Sequence, residues 1–322
     1  MTFRGGAIIS VRKFAVLTTL ALCLVIAGYA GLVWHVYLRD SDTAEAPTKE
    51  TYKYTPELQV IALHDGFFVL KGAGGNILVS TGHDGTLLVD SGDVNMTASV
   101  LAALETINAA DVDIVINTHS HGDHRGGNST FSRMGAEIIA HRATYENIKT
   151  DTYTTFEFES LPSFVFDTDH SLTFNGQDIT LTHIPLAHTN GDIIAHFRQA
   201  DIIAAGDVLI TNGLPFISIG GGASLNSHLA GLRTLMHHVN DATTLIPGNG
   251  EVNVGPTELQ ETHDKLQDIR NYLIWLKSHN ISTRYVPLFH PLYAWPAEKR
   301  KGQGWEKFWV RMIYATLPDT SP

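Results

Sequence analysis

The sequence predicts an α/β fold of the α+β kind, a sheet-rich core covered by helices. Three observations carry that reading. Four short apolar runs separated by Gly-containing turns open the chain after residue 58; from residue 94 onward helix-like and strand-like segments alternate; and 43% hydrophobic with 17% charged residues is a globular balance that excludes general disorder. At 322 residues the chain has room for one large domain or two modest ones.

The first 38 residues read apart from the rest. Phe14 to Trp34 contain no charged side chain, and as a helix rising about 1.5 Å per residue they extend roughly 32 Å, enough to cross a bilayer. Arg4, Arg12 and Lys13 precede this run, whereas Arg39, Asp40, Asp42 and Glu45 follow it. That asymmetry predicts the N-terminus inside and the domain on the extracytoplasmic side, with Trp34 and Tyr37 at the interface. A signal peptide cleaved after Gly28-Tyr29-Ala30 is the rival reading; it also exports the domain. Cys23, the one cysteine of the chain, falls inside the apolar run. The exported part therefore has neither a disulfide nor a thiolate ligand. Beyond the three N-terminal cations, 19 basic residues face 33 acidic ones, and such a surface repels nucleic acid. The partners expected are the membrane, through the N-terminal helix, and a small-molecule substrate; the sequence leaves the oligomeric state open.

Residues 39–57 are polar, contain Pro47 and Pro56, and show no periodicity, so they read as a linker. The domain spans 58–285. Its opening runs, Gln59 to Leu63, Phe67 to Lys71, Asn76 to Ser80 and Thr86 to Asp90, predict an antiparallel meander. A helix over Ala98 to Ile107 and a strand over Val112 to Asn117 follow. Further strands are predicted at Glu137 to Ala140, Ile179 to Ile184, Asp192 to Phe197, Asp201 to Ala205 and Thr243 to Ile246, with helices at Leu225 to His238 and Thr257 to Ser278. The tail, 286–322, places Trp305, Phe308, Trp309, Met312, Ile313 and Leu317 at spacings of three and four, one apolar helix face that docks on the domain or meets the membrane surface.

Directly after the apolar run Val112 to Ile116 comes Asn117-Thr118-His119-Ser120-His121-Gly122-Asp123-His124. Three imidazoles and a carboxylate within six residues suit a borderline cation such as zinc, which favours nitrogen and carboxylate oxygen. On a loop, His119 and His121 point to one side while Asp123 and His124 reach a second position. Other candidates follow later strand-like runs: His188 in Ala187-His188-Thr189-Asn190-Gly191-Asp192, Asp207 in Gly206-Asp207, and Asn249 in Pro247-Gly248-Asn249-Gly250. Asn212, Phe216 and the glycines Gly220 to Gly222, on the loop after Asp207, are candidate substrate contacts.

Residues Asn117 to Asn128, in the pattern Asn-Thr-His-x-His-x-Asp-His-x-Gly-Gly-Asn, together with His188, Gly206-Asp207 and Pro247-Gly248-Asn249-Gly250, resemble the metallo-beta-lactamase superfamily. The resemblance extends over about residues 58 to 278 and implies an αββα sandwich with metals at one edge. It implies that His119, His121 and His188 hold a first zinc, that Asp123 and His124 hold a second, and that Asp207 bridges them. Where the family has a last histidine this chain has Asn249, a weaker ligand. Three readings stay open: two zincs with Asn249 or water filling the gap, one zinc, or a partly decayed site. His290, on a proline-flanked loop, is the replacement ligand to consider, and His141, His170, His183, His196, His228, His237, His238 and His279 have no motif support.

The chemistry implied is attack by a metal-bound water, its pKa lowered to about 7, on the carbonyl of a β-lactam, lactone or thioester, with Asp123 as the catalytic carboxylate that orients it. Two alternatives remain from the sequence: a mononuclear iron persulfide dioxygenase, which the superfamily also contains, and a catalytically weakened metal- or ligand-binding protein, for which Asn249 speaks.

Overall fold

The computed structural model describes residues 57–109, 111–151, 158–252, 254–286 and 303–318. The apolar span Phe14 to Trp34, nearly all of the linker and His290 lie outside the described residues, and among those described no helix is long and apolar enough to cross a membrane.

Strands β1 (Gln59–Ala62), β2 (Phe67–Ala73), β3 (Gly75–Gly82) and β4 (Gly85–Val89) form the antiparallel meander that the sequence predicts. Helix α1 (Thr97–Thr106) carries the chain back so that β5 (Val112–Ile116) pairs parallel with β4. Strands β6 (Glu137–His141) and β7 (Phe164–Phe166) extend the same sheet in parallel, giving the order β1 to β7. Between β5 and β6 lie two short helices, α2 (Gly122–Arg125) and α3 (Asn128–Arg133). The second sheet has the order β12-β11-β10-β9-β8, from β8 (His170–Phe174), β9 (Gln177–His183), β10 (Ile193–Phe197), β11 (Ile202–Ile210) and β12 (Thr244–Asn249). Its last pair, β11 and β12, is parallel because helix α5 (Leu225–Met236) intervenes.

Strict alternation along the strands divides the apolar residues between two faces. Val69, Leu78, Leu87, Val89 and Ile116 of the first sheet meet Ile179, Leu181, Ile193, Ala195, Phe197, Ile202 and Ala204 of the second in one central core. The neighbours Leu70, Ile77, Val79, Leu88 and Val115 face outward and are covered by Val100 and Leu104 of α1 and Phe131 of α3. On the far side, Ile194, Ile203, Ala205 and Leu245 are covered by α5, by α6 (Pro256–Ser278) and by the carboxyl-terminal helix α7 (Gln303–Thr316). The layers therefore run helix, sheet, sheet, helix, an αββα sandwich.

The departures from the sequence reading have physical causes, and one choice the sequence left open is decided. The histidine motif is not all loop, because Gly122 to Arg125 form a helical turn that swings His124 away from His121. Strand β11 continues past Ala205 because Gly206, at φ 50, takes up a register shift and lets Asp207 lie within the strand. Helix α4 (Arg142–Thr150) and strand β8 escape the apolar-pattern reading, since each carries mostly polar residues along its length. The tail helix adopts the docked reading, with Trp309, Val310, Ile313 and Leu317 buried in the same core as α5 and α6.

Candidate metal centre

The site sits where the ends of β4, β5, β11 and β12 converge. Beyond β5, Thr118 and His119 are buried at 1% exposure each; Asp90, the residue after β4, fixes Thr118 directly and His119 only through the Thr118 hydroxyl. The Asp90 carboxylate accepts from the Thr118 amide at 2.7 Å, from the Thr118 hydroxyl at 2.8 Å and from His124 Nδ1 at 2.7 Å. Burial pushes this carboxyl up, and His124 and the Thr118 bonds pull it back only in part. A second polar clamp closes the motif from outside. Asn117 and Asn128 exchange side-chain hydrogen bonds at 3.0 and 2.7 Å, and the Ser91 hydroxyl donates to Asn128 at 2.9 Å. Arg125 reaches back to the Ser120 carbonyl at 2.7 Å and pairs with Asp151.

His188 lies on the loop between β9 and β10. Its amide and that of Thr189 donate to the Asp192 carboxylate at 2.6 and 2.8 Å, and the Thr189 hydroxyl adds a third bond at 2.5 Å. Burial, only partly countered by these donors, raises the Asp192 carboxyl to about 7. Sequence reasoning passed over Asp90 and Asp192 as ligand supports. Each ends or opens a strand-like run, but what it holds comes from a distant or folded-back segment.

Hydrogen-bond accounting fixes the imidazole tautomers around the first position. The Thr118 hydroxyl spends its proton on Asp90, so at 3.1 Å from His119 it accepts, and His119 Nδ1 carries the hydrogen. His188 Nδ1 donates to the Phe216 carbonyl at 2.5 Å. Both rings therefore turn a bare Nε2 lone pair inward, and both meet Nδ1 of His121, at 3.2 Å from His119 and 2.7 Å from His188. His121 Nδ1 has at most one proton to give, so at least one of these two contacts has no hydrogen to fill it. Burial also disfavours protonation: it holds His188 near 3 and His119 well below its ordinary range. Three neutral imidazoles converging within 4.8 Å are the donor set a zinc-like cation takes, and the residues fit one.

The second position is built differently. His124, fully buried, donates Nδ1–H to Asp90 and points Nε2 at Asp123 and Asp207, each 3.5 Å away. Burial alone would lower His124, but Asp123, Asp207 and Asp90 together hold it well above the ordinary imidazole range. Asp123, raised by burial, is brought down to about 2 by His124 and stays ionised, with its side chain 36% exposed. Asp207 stands between the two positions, 3.6 Å from His188 Nε2 through its other oxygen. The Asn249 amide nitrogen occupies the middle of this set, 3.0 Å from Asp207, 3.2 Å from His124 Nε2 and 3.5 Å from Asp123. An N–H group cannot ligate a cation. Presenting the amide oxygen instead costs both carboxylate bonds, so this position fits a cation less well than the first.

Glycine is required at two contacts here. A Cβ on Gly75 would lie 2.5 Å from the His124 ring, and one on Gly248 would lie 2.3 Å from the Asp207 carboxylate. Of the candidate substrate contacts, Phe216 stands edge-on to His121 and His188, with ring centroids 5.6 and 6.0 Å away. Asn212 packs beside Gly250 instead, with its Oδ1 buried and lacking a partner among the described residues. Gly220 and Gly221 belong to a 3-10 turn that Gly222 ends.

A family model described as the metallo-beta-lactamase superfamily matches residues 70–251. Among solved structures, the chain is similar to a metallo-beta-lactamase from Pontibacter korlensis, at 20% identity and a TM-score of 0.56, over 66% of this chain and 100% of that one. It is also similar to the DIM-1 metallo-beta-lactamase, at 16% identity and a TM-score of 0.55, over 66% of this chain and 98% of the other. At these identities the likeness to solved structures speaks for the fold.

Proposed function

The chain belongs to the metallo-beta-lactamase superfamily, and from that premise we propose that it is a hydrolase working with one divalent cation, best matched by zinc, held by His119, His121 and His188. The observation that carries the reading is the convergence of His188 and His119 Nε2 on His121 Nδ1 at 2.7 and 3.2 Å, where one available proton cannot fill both contacts and a bound cation would. A cation bound there supplies an electrophile for a carbonyl oxygen and a water acidic enough to act as a nucleophile at neutral pH.

The chain's own residues do the remainder. Asp123, ionised and partly open to solvent, accepts a hydrogen bond from the attacking water and holds its orientation. Asp207 keeps a negative charge beside His188 and balances the cation. Asn249 Nδ2 bridges the Asp123 and Asp207 carboxylates beside His124, in place of a second ion. In the overall reaction the water oxygen bonds to the carbonyl carbon, the carbon–heteroatom bond breaks, and the departing heteroatom takes up a proton. The substrate class is a small molecule with a strained or activated carbonyl: a β-lactam, a lactone or a thioester. The charge asymmetry around Phe14 to Trp34 supports placing this chemistry on the extracytoplasmic side.

The test is turnover of a β-lactam, a lactone and a thioester by the purified full chain, with and without chelator and zinc replenishment. Zinc-dependent turnover of at least one substrate is expected. Stoichiometric iron with oxygen uptake and no hydrolysis would replace this reading with persulfide oxidation.

A further inference from the structure

Helix α7 lies beyond the family-matching residues 70–251, yet it reaches the edge of the metal centre. Trp309, fully buried, donates its indole N–H to the Pro215 carbonyl at 2.6 Å. Val310, Ile313 and Leu317 share a core with Leu214 and Ile217 on the loop after β11. The helix is fastened to its surroundings by the Lys277 ammonium on the Leu317 carbonyl and by the Tyr314 hydroxyl on the Ile281 carbonyl at 2.5 Å. The loop it holds from behind is tied in front to a candidate ligand: His188 donates to the Phe216 carbonyl at 2.5 Å, and the Ser218 amide donates to the His188 carbonyl at 2.8 Å.

Packing uses the backbone of this segment but leaves the Phe216 ring open, at 39% exposure. One side faces His121 and His188, and Trp305 of α7 stacks on it at 6.2 Å and 30°. Two residues before His188, Leu186 adopts φ 58 and leaves its side chain 37% exposed. A bulky residue in the left-handed region is unusual and tends to mark a site where strain is retained for function. Both open apolar side chains belong to the segments that carry or hold His188. Neither is needed by the core.

We propose that Phe216, backed by Trp305 of the carboxyl-terminal helix, is the apolar wall of the substrate site, and that the substituent of the reacting carbonyl packed on it is an aliphatic or aromatic group of several carbons. This deepens the hydrolase reading and rests on it for the identity of the reacting group. Each methylene withdrawn from water strengthens binding about three- to fourfold, so a chain laid across one face of the ring gains roughly tenfold or more over a compact substituent.

Octanoate and acetate serve as probes, since they share a carboxylate and differ only in chain length. Their dissociation constants are measured by calorimetry on the full chain loaded with zinc, for the native protein, Trp305→Ala and Trp305→Phe. Native protein is expected to prefer octanoate at least tenfold, Trp305→Ala to cut that ratio about fivefold, and Trp305→Phe to restore most of it. Equal binding of the two probes by native protein overturns the proposal, as does an unchanged ratio in a folded Trp305→Ala. Should Trp305→Ala fail to fold, Phe216→Ala, which removes a partly exposed ring, carries the same expectation. Turnover of p-nitrophenyl acetate and octanoate is read separately. Octanoate preference without turnover of either ester or of the β-lactam, lactone and thioester removes the hydrolase reading and keeps the wall, whereas turnover without octanoate preference removes the wall alone.

Discussion

Replacing Asp90 by asparagine tests how far the site depends on a residue that touches no cation. The Asp90 carboxylate accepts three hydrogen bonds of 2.7 to 2.8 Å from Thr118 and His124, and both Asp90 and His124 are essentially buried. In Asp90→Asn one oxygen remains for the Thr118 amide, but an NH2 group confronts the Thr118 hydroxyl and His124 Nδ1–H. Breaking one partner of a buried charge pair costs about 3 to 5 kcal/mol. Asp90 also holds the Thr118 hydroxyl that accepts from His119 Nδ1, and loss of a group orienting a ligand histidine costs about 10- to 100-fold in metal affinity. The assay is urea unfolding of the chelated protein together with zinc competition against a chromophoric chelator. Stability within about 0.5 kcal/mol of native and unchanged zinc affinity, the range of an ordinary surface substitution, would show that Asp90 neither orients His124 nor fixes Thr118 and His119.

Three further outcomes follow from the same geometry. Gly75→Ala pushes a methyl against the His124 ring; a loss of about 1 to 3 kcal/mol by thermal or urea unfolding is expected, and an unchanged midpoint contradicts the contact. His228, held near 4 by burial with partial relief from the Ala187 carbonyl, gives an acid-dependent term. The unfolded chain protonates it below about 6.5 and the folded chain only below about 4, so its contribution is nil above that window and becomes a growing penalty as pH falls, at most about 1.4 kcal/mol per pH unit. His228→Gln should flatten the fall in stability between pH 6.5 and 4 in chelator by up to that slope, and an equal slope in both proteins refutes it. Asn249→His removes the amide from among Asp123, His124 and Asp207 and supplies a ligand in its place. Zinc per chain, measured by mass spectrometry, is expected to rise from one toward two.

Most strands were legible because each is an apolar run whose alternate residues enter two different cores, as Leu87 and Val89 do on one side of β4 and Leu88 on the other; the three-residue β7 and the polar β8 were not. The ligand candidates were legible because His119, His121, Asp123 and His124 are close in sequence, and His188 and Asp207 match the same pattern. What supports them was not. Asp90 acts across 28 residues on Thr118 and 34 on His124, a distance along the chain at which no local pattern exists. The amide of Asn249 was identifiable as a poor ligand from its chemistry, but its placement between the Asp123 and Asp207 carboxylates and beside His124 depends on the β11–β12 pairing that aligns it with Ile210. The docked face of α7 was visible as an apolar stripe, whereas its loop partners, Pro215 and Phe216, became known only from the packed chain.

The central claim is one cation on three imidazoles. Zinc content of the purified full chain, combined with X-ray absorption at the zinc edge, tests it most directly. The account predicts one zinc per chain with three imidazole nitrogens at about 2.0 to 2.1 Å, and loss of that zinc in His188→Ala. A full equivalent retained by His188→Ala, or native protein that takes up no zinc, would contradict it.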